Sequence, residues 1–232
     1  MDIPARVTVL QRVPLFNGLT PAELDVVARE AHERPLKKGE ALFQQGEEAV
    51  HNYVMGWGRL RLDQTTPDGQ NLVLRYMGPG DLVGTVAVLR GMPFPATPVA
   101  VEDCMLLAWS ALRTADHLTR YPAIAVNAIK VIGGRIEEMQ ERLREAATQR
   151  VERRIASTLL RMARQSGRRV EGGVEIPFVV SRNDLAEMTA TTLHTVSRTL
   201  AAWEQEGILS GKRAAHLVIA QPHRLVEIAE QA

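Results

Sequence analysis

The sequence predicts an α+β chain: a strand-rich N-terminal part, one long helix, and a C-terminal part of short helices closed by a hairpin. Three observations predict it. From about residue 36 to 110 turn formers recur in "KKGE", "QQGE", "GWG", "TPDGQ", "MGPGD" and "RGMPFPATP", and such punctuation bounds short strands. From Pro122 to about residue 148 no proline interrupts, and apolar residues take up helical spacing. Residues 181–200, SRNDLAEMTATTLHTVSRTL, fit two short helices joined by a tight turn.

Length and charge set the limits. A chain of 232 residues, 45% hydrophobic, can bury one large core or two modest ones. No stretch approaches the roughly 18 to 20 consecutive apolar residues of a membrane span, and MDIPARVTVLQRVPLF lacks the apolar core of a secretory signal. A cytoplasmic location is expected. The single cysteine, Cys104 in "VEDCMLLAW", excludes an internal disulfide and a cysteine-ligated zinc or iron–sulfur site, and reads as a small buried residue. The net charge of +1 hides an asymmetry: residues 1–149 hold 16 Lys+Arg against 18 Asp+Glu, and residues 150–232 hold 12 against 9. Affinity for phosphate, if present, belongs to the C-terminal third.

Taken in order, Thr20-Pro21-Ala22-Glu23 starts a helix, with Thr20 as N-cap, Pro21 at the first position and Glu23 closing a capping box. The segments YVMGWGRLRL and NLVLRYM, separated by Asp68-Gly69, read as strands joined by a hairpin, within a β-sandwich or a roll. In the long helix Ile129, Ile132, Ile136, Met139, Leu143 and Ala146 follow spacings of 3, 4, 3, 4 and 3. That is a heptad seam, and it wants a partner helix. Gly133-Gly134 inside it costs about 1 kcal/mol per glycine relative to alanine, and one return would be a close approach of two helices. "ATQRVERR" at 147–154 reads as a hinge, residues 151–165 as a helix burying Ile155, Leu159, Leu160 and Met162, "RQSGRRVEGG" as a basic loop, and "VEIPFVV" as a strand.

Residues 181–200 carry the most specific pattern. Ser181 caps the first short helix, and Asp184 completes the box. Leu185, Ala186, Val196 and Leu200 take inward positions, and Ala190 the turn. Thr192, His194, Thr195, Ser197 and Arg198 are left facing outward near the start of the second helix. A major groove admits such a helix, whose N-terminal residues then meet base edges. Trp203 anchors the helix end, Gly207 terminates it, and ILSGKRAAHLVI reads as a hairpin with Lys212 and Arg213 at its tip. The segment is therefore a winged helix-turn-helix. No nucleophile–base pair or paired carboxylates stand in a recognisable motif, and "MGPGD" is a turn signal without the lysine of a phosphate loop. An enzyme is not expected.

Over nearly all of its length the chain resembles the Crp/Fnr family of bacterial transcription regulators. The carriers are "PLFNGLTPAELD", "KKGEALFQQGE", "PDGQ", "VAVEDCMLLA" and "HTVSRTLAAWEQEGIL", in order and spacing. The resemblance implies a jelly-roll-like double-stranded β-helix as sensor domain over 1–119, a dimerisation helix over 120–148, and a winged helix-turn-helix DNA-binding domain over 149–232. It also implies a homodimer on a pseudo-palindromic promoter site, with RNA polymerase as a further partner. The competing reading is a cyclic-nucleotide-type regulatory module of a larger enzyme complex. Such a module has no need of a groove-reading helix.

The effector is where the chain departs from the family. Regulators that bind cyclic AMP look like Gly-Glu-Leu followed by an Arg-Ser-Ala segment, whereas this chain reads Gly84-Thr85-Val86 and, ahead of Thr97, Phe94-Pro95-Ala96. Met139 and Gln140 stand where hydroxyls usually meet the base. A cyclic phosphate without its arginine would be a poorly compensated buried anion, so cyclic AMP is rejected as effector. The cysteines of the iron–sulfur branch are missing. A haem-based gas sensor stays open, with His32, His51, His117 and Met139 as candidate ligands, none distinguished by spacing; His216 and His223 fall in or after the wing.

On the DNA side, the resemblance gives Arg198 a bidentate contact to guanine and links Ser197 to the branch reading a TTGAT-like half-site. His194 stands where relatives usually carry glutamate, so the base pair facing it is expected to differ. Ser181, Arg182, Lys212 and Arg213 are expected on phosphates, with Thr192 and Thr195 beside them.

Overall fold

The computed structural model describes residues 1–210 and 216–230. The chain forms two compact units, one from residues 1–70 and 75–139, the other from 71–74 and 140–232.

The first unit opens with α1 (Ile3–Leu10), capped by the Asp2 carboxylate on the Ala5 N–H at 2.9 Å. A 3-10 turn, Pro14–Phe16, leads to α2 (Pro21–Arg29), whose N-terminus carries the expected capping box. Eight elements follow: β1 (His32–Leu36), β2 (His51–Trp57), β3 (Leu60–Thr65), β4 (Asn71–Met77), β5 (Leu82–Val83), α3 (Thr85–Arg90), β6 (Thr97–Ala100) and β7 (Cys104–Ser110). Then come α4 (Ala111–Arg120) and the long α5 (Pro122–Thr148), which starts at the expected proline. The strands make two sheets, β1-β7-β2-β5 and β4-β3-β6. Gly69, at φ +83°, turns the chain between β3 and β4.

Strand alternation explains how the unit packs. Leu106 and Ala108 of β7, with Met55 of β2, face Leu60, Met77 and Ala100 of the opposite sheet, so that the two sheets close as a roll. Leu107 and Trp109 of β7, with Val54 of β2, face outward from it onto Leu10, Val27, Ala28 and Ile124 of the helices and Tyr121 between α4 and α5. The Trp109 indole N–H donates to the Val27 carbonyl at 3.0 Å.

The second unit takes the last turns of α5, then α6 (Val151–Ser166), β8 (Arg168–Val170), β9 (Gly173–Ile176), α7 (Arg182–Met188), α8 (Leu193–Gln205), β10 (Leu209–Ser210), β11 (Leu217–Ile219) and α9 (Pro222–Glu230). Its sheet runs β10-β11-β9-β8. Ile155, Leu159, Leu185, Val196, Trp203, Ile208, Ile219 and Leu225 are all buried.

Three expectations change. Within the stretch read as a basic loop, residues 164–166 end α6 and Arg168–Val170 form strand β8, because Gly172 and Gly173, at φ +91° and +147°, fold that segment back onto β9. A Cβ on Gly173 would stand 2.1 Å from the Ile219 carbonyl oxygen, so β11 can approach only glycine there. The stretch read as a hinge is helical apart from Gln149 and Arg150. Leu160 is only half-buried, while Ala156 and Thr158 go fully inside. A Cβ added at Gly133 or Gly134 of α5 would meet nothing within 4 Å outside its own helix among the described residues.

Cys104 lies buried in β7, its thiol donating to the carbonyls of Arg59 and Glu102 at 3.3 and 3.2 Å. Burial pushes its pKa up, which makes a structural thiol inert. The folded protein should therefore resist iodoacetamide at mildly alkaline pH and react promptly once denaturant unfolds the first unit, as followed by mass spectrometry. Prompt labelling of the folded chain would contradict this placement.

Candidate nucleic-acid interface and effector region

Side chains set the geometry of the helix pair α7–α8. The Ser181 hydroxyl accepts from the Asp184 N–H at 3.0 Å, and the Asp184 carboxylate accepts from the Ser181 N–H at 3.2 Å, which fixes where α7 begins. At its end the Thr189 hydroxyl donates to the Leu185 carbonyl at 2.5 Å. Ala190 then turns the chain at φ +48°, a left-handed conformation that alanine adopts only under constraint. The Thr191 N–H donates to the Ala186 carbonyl at 2.9 Å, closing the turn. Thr192 caps α8 through the Thr195 N–H at 3.2 Å, and the two hydroxyls lie 2.9 Å apart.

With Val196, Leu200 and Trp203 buried, the opposite side of α8 is left for solvent. Thr192, His194 and Arg198 are exposed there, and Thr195 and Ser197 are half-buried. Sequence reasoning passed over Leu193, which is 50% exposed on the first turn beside His194. The helical period gave no signal: Leu193 stands at the 3-4-3 spacing of Val196, Leu200 and Trp203, yet as the first residue of α8 it is left exposed. Arg182 is already engaged, its guanidinium 3.5 Å from the Glu204 carboxylate. Ser181 serves its capping box, and Lys212 and Arg213 lie outside the described residues.

Below the wing strand, Glu175 accepts from Arg168 and, at 2.9 Å, from the His216 ring. These two hydrogen bonds, Arg168 first, hold its carboxyl below the usual range.

In the first unit Gly84 leaves β5 at φ +76°, where a Cβ would stand 2.8 Å from the Phe94 ring. Phe94 is buried and stacks on Phe43, with ring centroids 3.5 Å apart and planes 11° apart. Its main chain is tied on both sides, donating to the Glu47 carbonyl and accepting from the Gly46 N–H, each at 2.8 Å. Thr85 is buried, and among the described residues its hydroxyl has no hydrogen-bond partner. The Pro95 carbonyl accepts from Gln64 at 3.1 Å, Ala96 is buried, and the Thr97 hydroxyl accepts from the Gln45 N–H at 2.8 Å. The structure thus brings Gly84 and Phe94 together, while Met139 and Gln140 lie on an exposed stretch of α5.

Among the candidate iron ligands, buried His117 has its Nε2 2.6 Å from the Glu30 carboxylate, which Arg113 also meets at 3.3 Å. His32 is exposed on β1, and His51 is half-buried. Among the described residues no group of three or more His, Cys, Asp or Glu side chains could hold a metal ion.

The seam of α5 is uncovered within the single chain. Ile129, Ile136, Met139 and Leu143 are 72, 52, 70 and 71% exposed, and Ile132 is half-buried.

Residues 33–120 match the model of the cyclic nucleotide-binding domain, and residues 153–228 match that of the Crp-like helix-turn-helix domain. A cyclic AMP receptor protein from Thermus thermophilus is 33% identical over 199 residues, 84% of this chain and 88% of the relative. An anaerobic regulatory protein from Bacillus subtilis is 22% identical over 213 residues, 88% of this chain and 90% of the relative. The solved structure of FixK2 from Bradyrhizobium japonicum superposes with a TM-score of 0.77 at 23% identity, covering 87% of this chain and 98% of that one, a likeness of fold.

The Phe43–Phe94 stack should hold the roll together without help from a ligand. Phe94→Ala is expected to destabilise the first unit by about 3–5 kcal/mol, the usual cost of emptying a buried aromatic site. Urea unfolding followed by tryptophan fluorescence measures it, and a loss below about 1 kcal/mol would mean that the ring is not packed as described.

Proposed function

The chain belongs to the Crp/Fnr family of bacterial transcription regulators, and from that premise we propose that it acts as a homodimer reading a pseudo-palindromic promoter site through α8. One observation carries the reading: the first two turns of α8 present Leu193, His194 and Arg198 to solvent, with Ser197 half-buried between them. A major groove needs such a surface. The heptad seam of α5 supplies the dimer, since four large apolar side chains of one stripe stand exposed until a second copy covers them. Two recognition helices then sit about 34 Å apart, one turn of DNA.

Each side chain has a role that follows from its chemistry. Arg198 donates in bidentate fashion to guanine O6 and N7. Ser197 accepts or donates at a neighbouring base, and Leu193 lays apolar surface against a thymine methyl. His194, when neutral, donates through one ring nitrogen and accepts through the other, where glutamate could only accept. Thr192, Thr195 and the α8 N-terminus hold phosphate, along with Ser181 and the wing residues Lys212 and Arg213. Arg182 contributes only if it leaves Glu204.

Control comes from a signal other than cyclic AMP. Phe94, stacked on Phe43, stands where the cyclic AMP-binding regulators place an arginine, and a buried phosphate there would lack its counter-charge. The protein works in the cytoplasm with RNA polymerase as partner. Among the described residues no helix is long and apolar enough to cross a membrane.

Sites selected from random DNA by the full-length protein should form a two-fold repeat that keeps the guanine facing Arg198 and departs from TTGAT at the pair facing His194. Recovery of an unmodified TTGAT site would remove the role given to His194. Arg198→Ala should cost about 1–3 kcal/mol per half-site and relax choice at that guanine, read by gel shift at fixed salt. Binding that is equally tight to every sequence would sink the regulator reading itself. Calorimetry with cyclic AMP should register no binding, and a saturable heat would overturn the assignment of the Phe94 position.

A further inference from the structure

Arg154 sits in the first turns of α6 and reaches three main-chain carbonyls. Its Nε donates to Thr189 at 2.9 Å, one Nη to Gln149 at 2.8 Å and the other Nη to Ala190 at 3.2 Å. The three acceptors come from two places far apart in sequence. Gln149 is the residue just past the end of α5, and Thr189 and Ala190 close α7 and form the turn before α8. Both are helix C-termini, whose last carbonyls lack partners and carry partial negative charge. A planar guanidinium with five donors can satisfy both at once; an ammonium cannot reach them in one plane.

The same end of α5 is tied to α6 a second time. The Arg161 guanidinium meets both oxygens of buried Glu145 at 2.9 and 3.1 Å and donates to the Thr158 hydroxyl at 3.2 Å. The break at Gln149 and Arg150 is thus spanned by two arginines, one of which continues to the turn that launches α8. Ala190, held at φ +48°, lies two residues before the Thr192 cap.

We propose that Arg154 is a positioning residue for DNA recognition: it locks the recognition helix to the end of the dimerisation helix, and so fixes the half-site spacing that the dimer accepts. The proposal rests on the reading of the preceding subsection, that two copies joined along α5 read two half-sites. Arg154 itself touches no base. Its loss leaves the helix pair α7–α8 folded, through its own capping box and buried row, and frees its orientation relative to α5.

The test uses the full-length protein and the operator it selects from random DNA. Affinities of the parent, Arg154→Lys and Arg154→Gln are measured on that operator, on an isolated half-site, and on operators with the spacer lengthened or shortened by one base pair. The variants should hold the isolated half-site within about threefold of the parent, while preference for the native spacer falls roughly three- to thirtyfold. Variants that keep the parent's preference for spacer overturn the proposal. So do variants that lose half-site and operator affinity in equal measure, because Arg154 would then support only the local fold. If neither variant folds, nitrogen-15 NMR of the parent on DNA decides: slow solvent exchange of the Arg154 Nε–H supports the lock, and exchange as fast as an exposed arginine overturns it. A parent that selects no operator at all overturns the dimeric reading and this proposal with it, whereas a selective parent with unchanged variants overturns this proposal alone.

Discussion

Everything in the first unit hangs on β7 being buried on both faces. Cys104, Leu106 and Ala108 point into the roll, and Leu107 and Trp109 point onto the helices, so one strand belongs to two cores at once. Both of its neighbours, β1 and β2, pair with it antiparallel, with His32 opposite Ala108 and Asn52 opposite Trp109, and the register to β2 shifts only between Met55 and Trp57. A slip of one residue would exchange the two sets of side chains, placing Trp109 inside the roll and Leu106 under the helices. That double demand explains how a strand of seven residues ties its four-stranded sheet to the helices packed on it.

The second unit is organised by a different constraint, the closeness of two crossing helices. Ala186 is buried where α7 meets α8, and the left-handed turn at Ala190 brings α8 back across it. Val196, Leu200 and Trp203 then face inward, and the outward set follows from the helical period. Core packing in this unit therefore decides which side chains of α8 are left outward.

Much of this was legible in the sequence, and the reasons are local. Thr20 and Ser181 cap helices with an acidic residue three positions on, Gly69 and Gly207 mark turns, and the apolar spacing of α5 follows one helix face. What escaped reading depends on partners distant along the chain. Phe94 became a packing residue only once Phe43, some fifty positions earlier, lay flat against it. Arg154 looked like one more charge in "VERR" until the fold delivered three carbonyls to it. The strand Arg168–Val170 has no hydrophobic alternation and exists because β9 offers it an edge and two glycines turn it back. Leu193 shares the spacing of the buried stripe, and its place at the first residue of α8 leaves it exposed.

The bare stripe on α5 also has a genetic consequence. On the dimeric reading, pairing is written along Ile129, Ile136, Met139 and Leu143, and reading is written at Arg198, so a lesion in one leaves the other intact. A copy that pairs but cannot read occupies half of a dimer and spoils the sound copy beside it. With equal amounts of both, random pairing leaves only about a quarter of the dimers with two reading heads. Alleles altered in α8 would therefore be dominant, whereas alleles that place charges along the stripe would be recessive, because their products never enter the partnership.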